Sequence, residues 1–387
     1  MKVTTKPPTD RDLLAAVEDH LRDRPGDAAA WNAKGALLAK SGDFGDALRS
    51  LDTAIRLDPS LAAAHANRGH VLLALGPNKA SDALVSFKKA LELSPGAIDA
   101  LRGAVLALRL LGRAREEIGY IDEILRQDGS DSLLWIRRGD LEAELGNPEA
   151  ALVSYERVLS SDPDNSIAIV HKAVILARLG KFDEAIKSAE RAVKISPDSI
   201  ISWRTLADVY VQAEKYKAAL KALERASVLD PTDPSIENMM GVVSYRAGDM
   251  KTAASHLERA VIMDHKNTSA LRNLALVYME LERWADAAKT WSRFTSVVKD
   301  DAAAWDAQAH ANARMNDFCS AAEAWEKARR IYKSTGSEED AERVSVLGRA
   351  AKFNCSRQRE ADRARREHER LTRTFSSRYD RRRERRS

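Results

Sequence analysis

Catalysis needs an acid, base or nucleophile held beside a second reactive group, and a metal needs several ligands facing one point. The eight histidines, His20, His65, His70, His171, His256, His265, His310 and His368, are scattered without ligand spacing. The nearest pair, His65 and His70, is five residues apart and points two ways on a helix. The only cysteines, Cys319 and Cys355, form no CxxC pair. Two cysteines cannot build a disulfide framework, so both read as ordinary small residues, one in a turn and one at a helix end. No GxxxxGK[ST], GxSxG or HExxH motif occurs. These residues predict no catalytic group, no cofactor and no metal, and a chain that is not an enzyme.

The elements that would position any site read as helices. Of 387 residues, 44% are hydrophobic, 31% charged and 6% aromatic, and 11 prolines are a poor turn supply for a large β-protein. Residues 1–10 lack an apolar core and read as no signal peptide. No run approaches the roughly eighteen apolar residues of a transmembrane segment, and a cytoplasmic location is expected.

A self-similar repeat starts at residues 28, 62, 98, 132, 166, 200, 234, 268 and 302, always 34 residues apart except for one spacing of 36. These nine repeats cover 28–335, and each reads as a pair of helices. Position four holds Trp31, Trp135, Trp203 and Trp305 among others. Position eight is small, as at Gly35, Gly69, Gly139, Ala173 and Gly241, with Val105 the exception. Position fifteen is glycine in six repeats, from Gly42 to Gly248. Position twenty is alanine except at Glu117, and position twenty-four is mostly bulky, as at Leu51, Phe87, Tyr155, Leu257 and Trp325. Pro59, Pro95, Pro163, Pro197 and Pro231 close five repeats.

Small residues at eight and twenty let two antiparallel helices approach, and bulky residues at four and twenty-four fill the space beside them. One such hairpin cannot bury its face alone, so the repeats must stack. The pattern resembles the tetratricopeptide repeat, whose W…L-G…Y…A…F…A…P positions it follows in all nine repeats; the third departs most, at Val105 and Glu117. Pentatricopeptide and half-a-tetratricopeptide arrays fit the period or the aromatic spacing less well. The resemblance implies an all-α fold: an α-solenoid, a right-handed superhelix of about nine hairpins with capping helices at both ends.

Residues 1–27 hold an amphipathic capping helix with Leu13, Leu14, Val17 and Leu21 at helical spacing, ended by Pro25-Gly26. Residues 336–355 read as a C-terminal capping helix with Val344, Leu347 and Ala351 on one face and Phe353 near its edge. Residues 356–387 carry 13 arginines against six carboxylates, a charged helix passing into a tail that should be disordered from 378 when free. The remaining chain is slightly acidic, since the total is +4.

Membership of the family implies that the first helices line a concave groove, with contacts from positions two, five, six, nine, twelve and thirteen. No repeat has the Lys/Asn pair of a carboxylate clamp, and of an asparagine ladder at position six only Asn67 and Asn273 are present. The fourth to sixth repeats instead place Leu133, Ile136, Ile167, Val170, Val174 and Ile201 at groove positions. They form a candidate apolar patch, unless curvature tucks some of them between repeats. Arg102, Arg137 and Arg204 flank it, with Asp140, Glu144 and Asp208 interspersed. A partner segment with apolar anchors and carboxylates suits this mixture. The chain is therefore expected to be a non-catalytic protein-interaction scaffold or adaptor. The alternative is a nucleic-acid-associated factor in which Arg378, Arg381, Arg382, Arg383, Arg385 and Arg386 contact nucleic acid or another anionic surface while the repeats recruit protein. A merely solubilising tail is the bland counterpart of that alternative.

Overall fold

The computed structural model describes the backbone of residues 9–384 and the side chains of residues 9–372. All regular structure among the described residues is helical, and the chain divides into two compact units, Met1–Ile195 and Ser196–Ser387.

In the first unit, α1 (Asp10–Asp23) precedes five helical hairpins. These are α2 (Ala28–Lys40) with α3 (Phe44–Leu57), α4 (Ala62–Leu75) with α5 (Ala80–Leu93), and α6 (Ile98–Leu110) with α7 (Ala114–Gln127). They continue with α8 (Ser132–Glu144) and α9 (Pro148–Ser161), then α10 (Ser166–Arg178) and α11 (Phe182–Ile195). The residues added to the second repeat form a short 3-10 turn, Pro77–Lys79. The second unit holds four hairpins: α12 (Ile200–Gln212) with α13 (Tyr216–Leu229), α14 (Pro234–Arg246) with α15 (Met250–Met263), α16 (Thr268–Glu280) with α17 (Trp284–Val297), and α18 (Ala302–Arg314) with α19 (Phe318–Ser334). It ends in α20 (Glu338–Glu384). Each unit is thus an α-solenoid of helical hairpins.

Within the hairpins, the small residue at eight lies under the bulky residue at twenty-four. A Cβ on Gly139 would come 2.5 Å from the ring of Tyr155. Phe87, with no exposed surface, is pinched from both sides, by Gly69 of its own hairpin and Gly103 of the next. The second helix of one hairpin packs on the first helix of the next, as α3 on α4, α9 on α10 and α15 on α16. The alanines at position twenty are completely buried, for example Ala47, Ala151 and Ala253.

The helix starts are fixed by side-chain caps. Asp27, Asp131, Asn165, Asp233, Asn267 and Asp301 each accept a backbone N–H from the first turn of the helix that follows. Indoles close the inter-repeat loops: Trp31, Trp135, Trp203 and Trp305 each donate Nε1–H to the carbonyl six residues earlier, at 2.8–2.9 Å. The aromatic at four therefore fastens a loop as well as filling space. At position fifteen, where the sequence has glycine in six repeats, the other three keep the left-handed backbone with Glu214 (φ 58°), Glu282 (φ 53°) and Asn316 (φ 62°).

The ends follow the same packing logic. α1 turns Leu14, Val17 and Leu21 inward and leaves Leu13 exposed. Lys34 reaches from α2 to Glu18 of α1 at 2.8 Å, much as Arg68 of α4 reaches Asp52 of α3. At the other end α20 lies against α19 through Ala341, Val344, Leu347 and Ala351 and then crosses Cys355 into the charged segment without interruption, its backbone helical to Glu384. No glycine or proline follows Gly348 to stop it. The cysteines are not the ordinary small residues expected of them: Cys319 and Cys355 are joined by a disulfide with their Cα atoms 4.9 Å apart. They lie on the antiparallel helices α19 and α20, at equal distances from Ser337 in the connecting turn, so the hairpin sets them opposite each other. The side chains of Arg378, Arg381, Arg382 and Arg383, and all of Arg385 and Arg386, lie outside the described residues. Among those described, no helix is long and apolar enough to cross a membrane.

A left-handed backbone costs a residue with a Cβ roughly 1–2 kcal/mol, part of which glycine would return to its freer unfolded state. Glu282→Gly should therefore stabilise the second unit by up to about 1 kcal/mol, read as a higher denaturant midpoint with an unchanged slope.

Candidate partner-binding surfaces

In the first unit the first helices lie side by side, α2 beside α4, α4 beside α6 and α8 beside α10. Leu133 and Ile167 occupy position two of α8 and α10 and are 73% and 51% exposed. Val174 is half-buried. Ile136 and Val170, both expected in the groove, are buried at 8% and 9%. Ile136 packs with Tyr155, Ala168 and Ile175 between neighbouring repeats, and Val170 packs with Ile169 and Ala192. Ile136 and Val170 at position five thus point into the seam between repeats, whereas Leu133 and Ile167 at position two stand clear of it. In the second unit Ile201, at position two of α12, is 69% exposed.

The flanking arginines are already paired. Arg102 Nη2 lies 3.0 Å from Asp131 Oδ2, whose other oxygen caps α8. Arg204 lies 3.6 Å from Asp233, the cap of α14, and Arg272 bonds Asp301, the cap of α18. Position-five arginines therefore tie one repeat to the capping aspartate of the next. Arg137 makes two bonds, of 2.8 and 2.9 Å, to Glu117, which is 1% exposed and also receives Arg109 at 3.3 Å. The carboxylate that replaced alanine at position twenty is therefore a buried anion held by two guanidiniums. Exposed pairs such as Arg102–Asp131 are worth little and exchange partners readily, whereas freeing Arg137 would strand a buried charge.

Polar pairs also bridge adjacent first helices. Asn67 Nδ2 donates to Asn32 Oδ1 at 2.8 Å, and Asn273 Nδ2 to Asn238 Oδ1 at 2.9 Å. The second pair lines a recess of about 500 Å³ with Thr268, Ser269, Arg272, Phe294 and Val298. Sequence reasoning missed this recess because it sought asparagines at position six of successive repeats. The available signal was a five-to-six pairing 35 residues apart, present twice. On α8 and α10, Asp140 lies 2.6 Å from His171 Nδ1 and accepts the Tyr155 hydroxyl at 2.8 Å. Burial pushes Asp140 up, but the bonds from His171 and Tyr155 outweigh it and hold the carboxyl below its usual range. Burial, and then the bond to Asp140, push the Tyr155 phenol up. The surface can thus offer apolar contacts, carboxamides and a fixed carboxylate to a partner chain.

Hairpins of this length, with a small residue under a bulky one and first helices side by side, define a helical-repeat protein. The chain belongs to the family of tetratricopeptide repeat domains described as the cilia and flagella-associated protein 70 C-terminal domain, whose model matches residues 119–347. A second model, TPR repeat, matches residues 23–76. Protein STIP1 homolog of Dictyostelium discoideum is 38% identical over 89 residues, which is 23% of this chain and 15% of the relative's length. Among solved structures, a tetratricopeptide repeat protein of Parabacteroides merdae is 20% identical, covering 65% of this chain and 98% of its own at a TM-score of 0.46. The pilF protein of Pseudomonas aeruginosa is 17% identical, covering 57% and 100% of the two chains at a TM-score of 0.45. Proteins of the tetratricopeptide family generally mediate protein–protein interactions.

A carboxyl held low in the folded state stabilises above its unfolded pKa of about 3.9, and that contribution fades as pH falls through the folded value. Asp140→Asn should cost about 1 kcal/mol at pH 7, the order of one charge-assisted hydrogen bond. The gap to the parent should close as thermal melts are taken down below about pH 4.

Proposed function

We propose that the chain is a non-catalytic scaffold or adaptor, working in the cytoplasm, that holds a segment of a partner protein against α8 and α10. The supporting observation is that Leu133 and Ile167 are exposed at the same position of adjacent first helices. Apolar side chains that repeat at one register and stay out of the core are suited to seat alternate anchors of a bound segment. Asp140, between them and the seam, favours a donor or a cation on that segment, and the exposed Arg102 can exchange Asp131 for a partner carboxylate. Ile201 repeats the same register in the second unit.

A second reading rests on α20. Every side chain from 356 to 372 is exposed, including Arg357, Arg359, Arg363, Arg365, Arg366 and Arg370. A helix of arginines with water on all sides suits sequence-independent contact with nucleic acid or another anionic surface. The run from Arg378 to Arg386 extends the same charge in sequence.

Affinity capture with mass spectrometry, with and without nuclease, tests both readings. Leu133→Glu with Ile167→Glu should lower recovery of the protein partner by about tenfold or more while helix content stays constant, as expected for lost interface anchors. Retained capture by this variant defeats the first reading. Deletion of 356–387 should abolish any nuclease-sensitive association, and its persistence in the truncated chain defeats the second.

A further inference from the structure

We propose that Cys319 and Cys355 form a reversible thiol–disulfide exchange site that sets how much of α20 is held against α19. The bond joins the start of one helix to a distant turn of the other: Cys319 is the second residue of α19, and Cys355 lies seventeen residues into α20. It is also the last anchor. Cys355 is 7% exposed, and every described side chain after it is exposed.

The two halves of the docked segment are held differently. Near the turn, Ala341 and Val344 are fully buried. There Arg343 bonds Asp306 of α18 at 2.8 Å, and the indole of Trp325 donates to the other oxygen of that carboxylate, also at 2.8 Å. Farther along, the inward residues are Gly348, Ala351 and Cys355, which offer little packing. An open cleft of about 550 Å³ lies there, lined by both cysteines, Glu323, Glu326, Gly348, Arg349, Lys352 and Arg359. The outer half of the dock therefore depends on the covalent bond more than on side-chain contact.

The cleft also provides the chemistry of exchange. Cys319 is half-buried, so its sulfur is the one an external thiolate reaches. Attack there forms a mixed disulfide and breaks the Cys319–Cys355 bond; Cys355 leaves as a thiolate and takes a proton from water. A second thiol then attacks the mixed disulfide, releasing the low-molecular-weight disulfide and the Cys319 thiolate, which is protonated in turn. Two external thiols are oxidised and one protein disulfide is reduced. A low-molecular-weight disulfide drives the reverse. Lys352, three residues before Cys355, and Arg359, four after it, supply positive charge beside the leaving sulfur. Two carboxylates of α19 line the same cleft: Glu323, one turn after Cys319, and Glu326, which is neutralised by Arg329 and then Arg330, holding its carboxyl down at about 2. No other cysteine exists in the chain to divert the exchange.

Reduction should therefore free the outer docked turns, 349–355, while Arg343 and the core around Val344 keep the inner half in place. The arginine segment would then leave the repeats about two helical turns earlier.

Hydrogen exchange on the full chain tests this, comparing protein oxidised with glutathione disulfide and protein reduced with dithiothreitol. Reduction should add about 2 Da to the intact mass, one hydrogen per sulfur. Amides in peptides covering 349–358 should exchange about tenfold faster or more in the reduced protein, and those of α15 and α17 should be unchanged. Cys319→Ser and Cys355→Ser should each exchange fast with or without reductant. Two alkylatable thiols after the oxidant, or equal exchange of 349–358 in both states of the wild-type chain, would overturn the proposal. The wild-type comparison decides the matter even if a variant misfolds.

Discussion

Where position eight is glycine, as at Gly35, Gly69, Gly139 and Gly241, the bulky residue at twenty-four leaves no room for even a Cβ. With a Cβ on Gly139 already within 2.5 Å of Tyr155, the separation of the two helices in a hairpin is set by what stands at eight and twenty-four. That separation leaves an apolar face too wide for the hairpin to cover itself, so the next repeat must cover it. Once stacked, the first helix has few directions left. Its position five enters the seam, as Ile136 and Val170 do, or reaches over it to a cap, as Arg102 and Arg272 do. Position six meets the neighbouring first helix, as Asn67 and His171 do. At position two, Leu133, Ile167 and Ile201 face outward. The exposure of Leu133 and Ile167 follows from this geometry.

The seams combine two kinds of interaction with different tolerance. Apolar contact between the second helix of one repeat and the first helix of the next is indifferent to sequence detail provided volume is kept. The polar ties are specific in direction: an aspartate caps its helix with one oxygen and receives the preceding repeat's arginine with the other, as at Asp131 and Asp301. Such a residue fixes both the start of a helix and the register of its neighbour. The third repeat shows the exception, where Glu117 takes the alanine position and must be neutralised from two sides by Arg109 and Arg137.

The hairpin fold was legible because its determinants repeat: the residues at eight, twenty and twenty-four lie at a constant spacing and need no knowledge of distant contacts. The candidate surface was legible only in part. Family positions give the angle of a side chain around its own helix, which placed Leu133 and Ile167 correctly outside, but they do not say how near the adjacent repeat comes, and Ile136 and Val170 went inside for that reason. The flanking arginines were legible as charges but not by their acceptors. Those of Arg102 and Arg204 lie 29 residues later in the next cap, a periodic relation as plain in the sequence as the repeat itself, whereas Arg137 pairs with Glu117 of the preceding repeat.

The cysteines show the same gap between counting and topology. Two in a long chain argue against a disulfide framework, yet in an antiparallel helical pair residues equidistant from the turn must meet, and Cys319 and Cys355 lie equally far from Ser337. Among the described residues no second helix covers the outer side of α20, where Val346 and Phe353 are exposed among mostly polar side chains. Past Cys355 no described side chain is buried on any side, and a helix there needs charges of both signs at helical spacing in place of packing. Glu360, Asp362, Glu367 and Glu369 among the arginines meet that need. The carboxylates that dilute the basic charge of this segment thus stand at a spacing that supports a helix, as Asp362 does four residues before Arg366, and the last buried anchor before the arginine surface is Cys355.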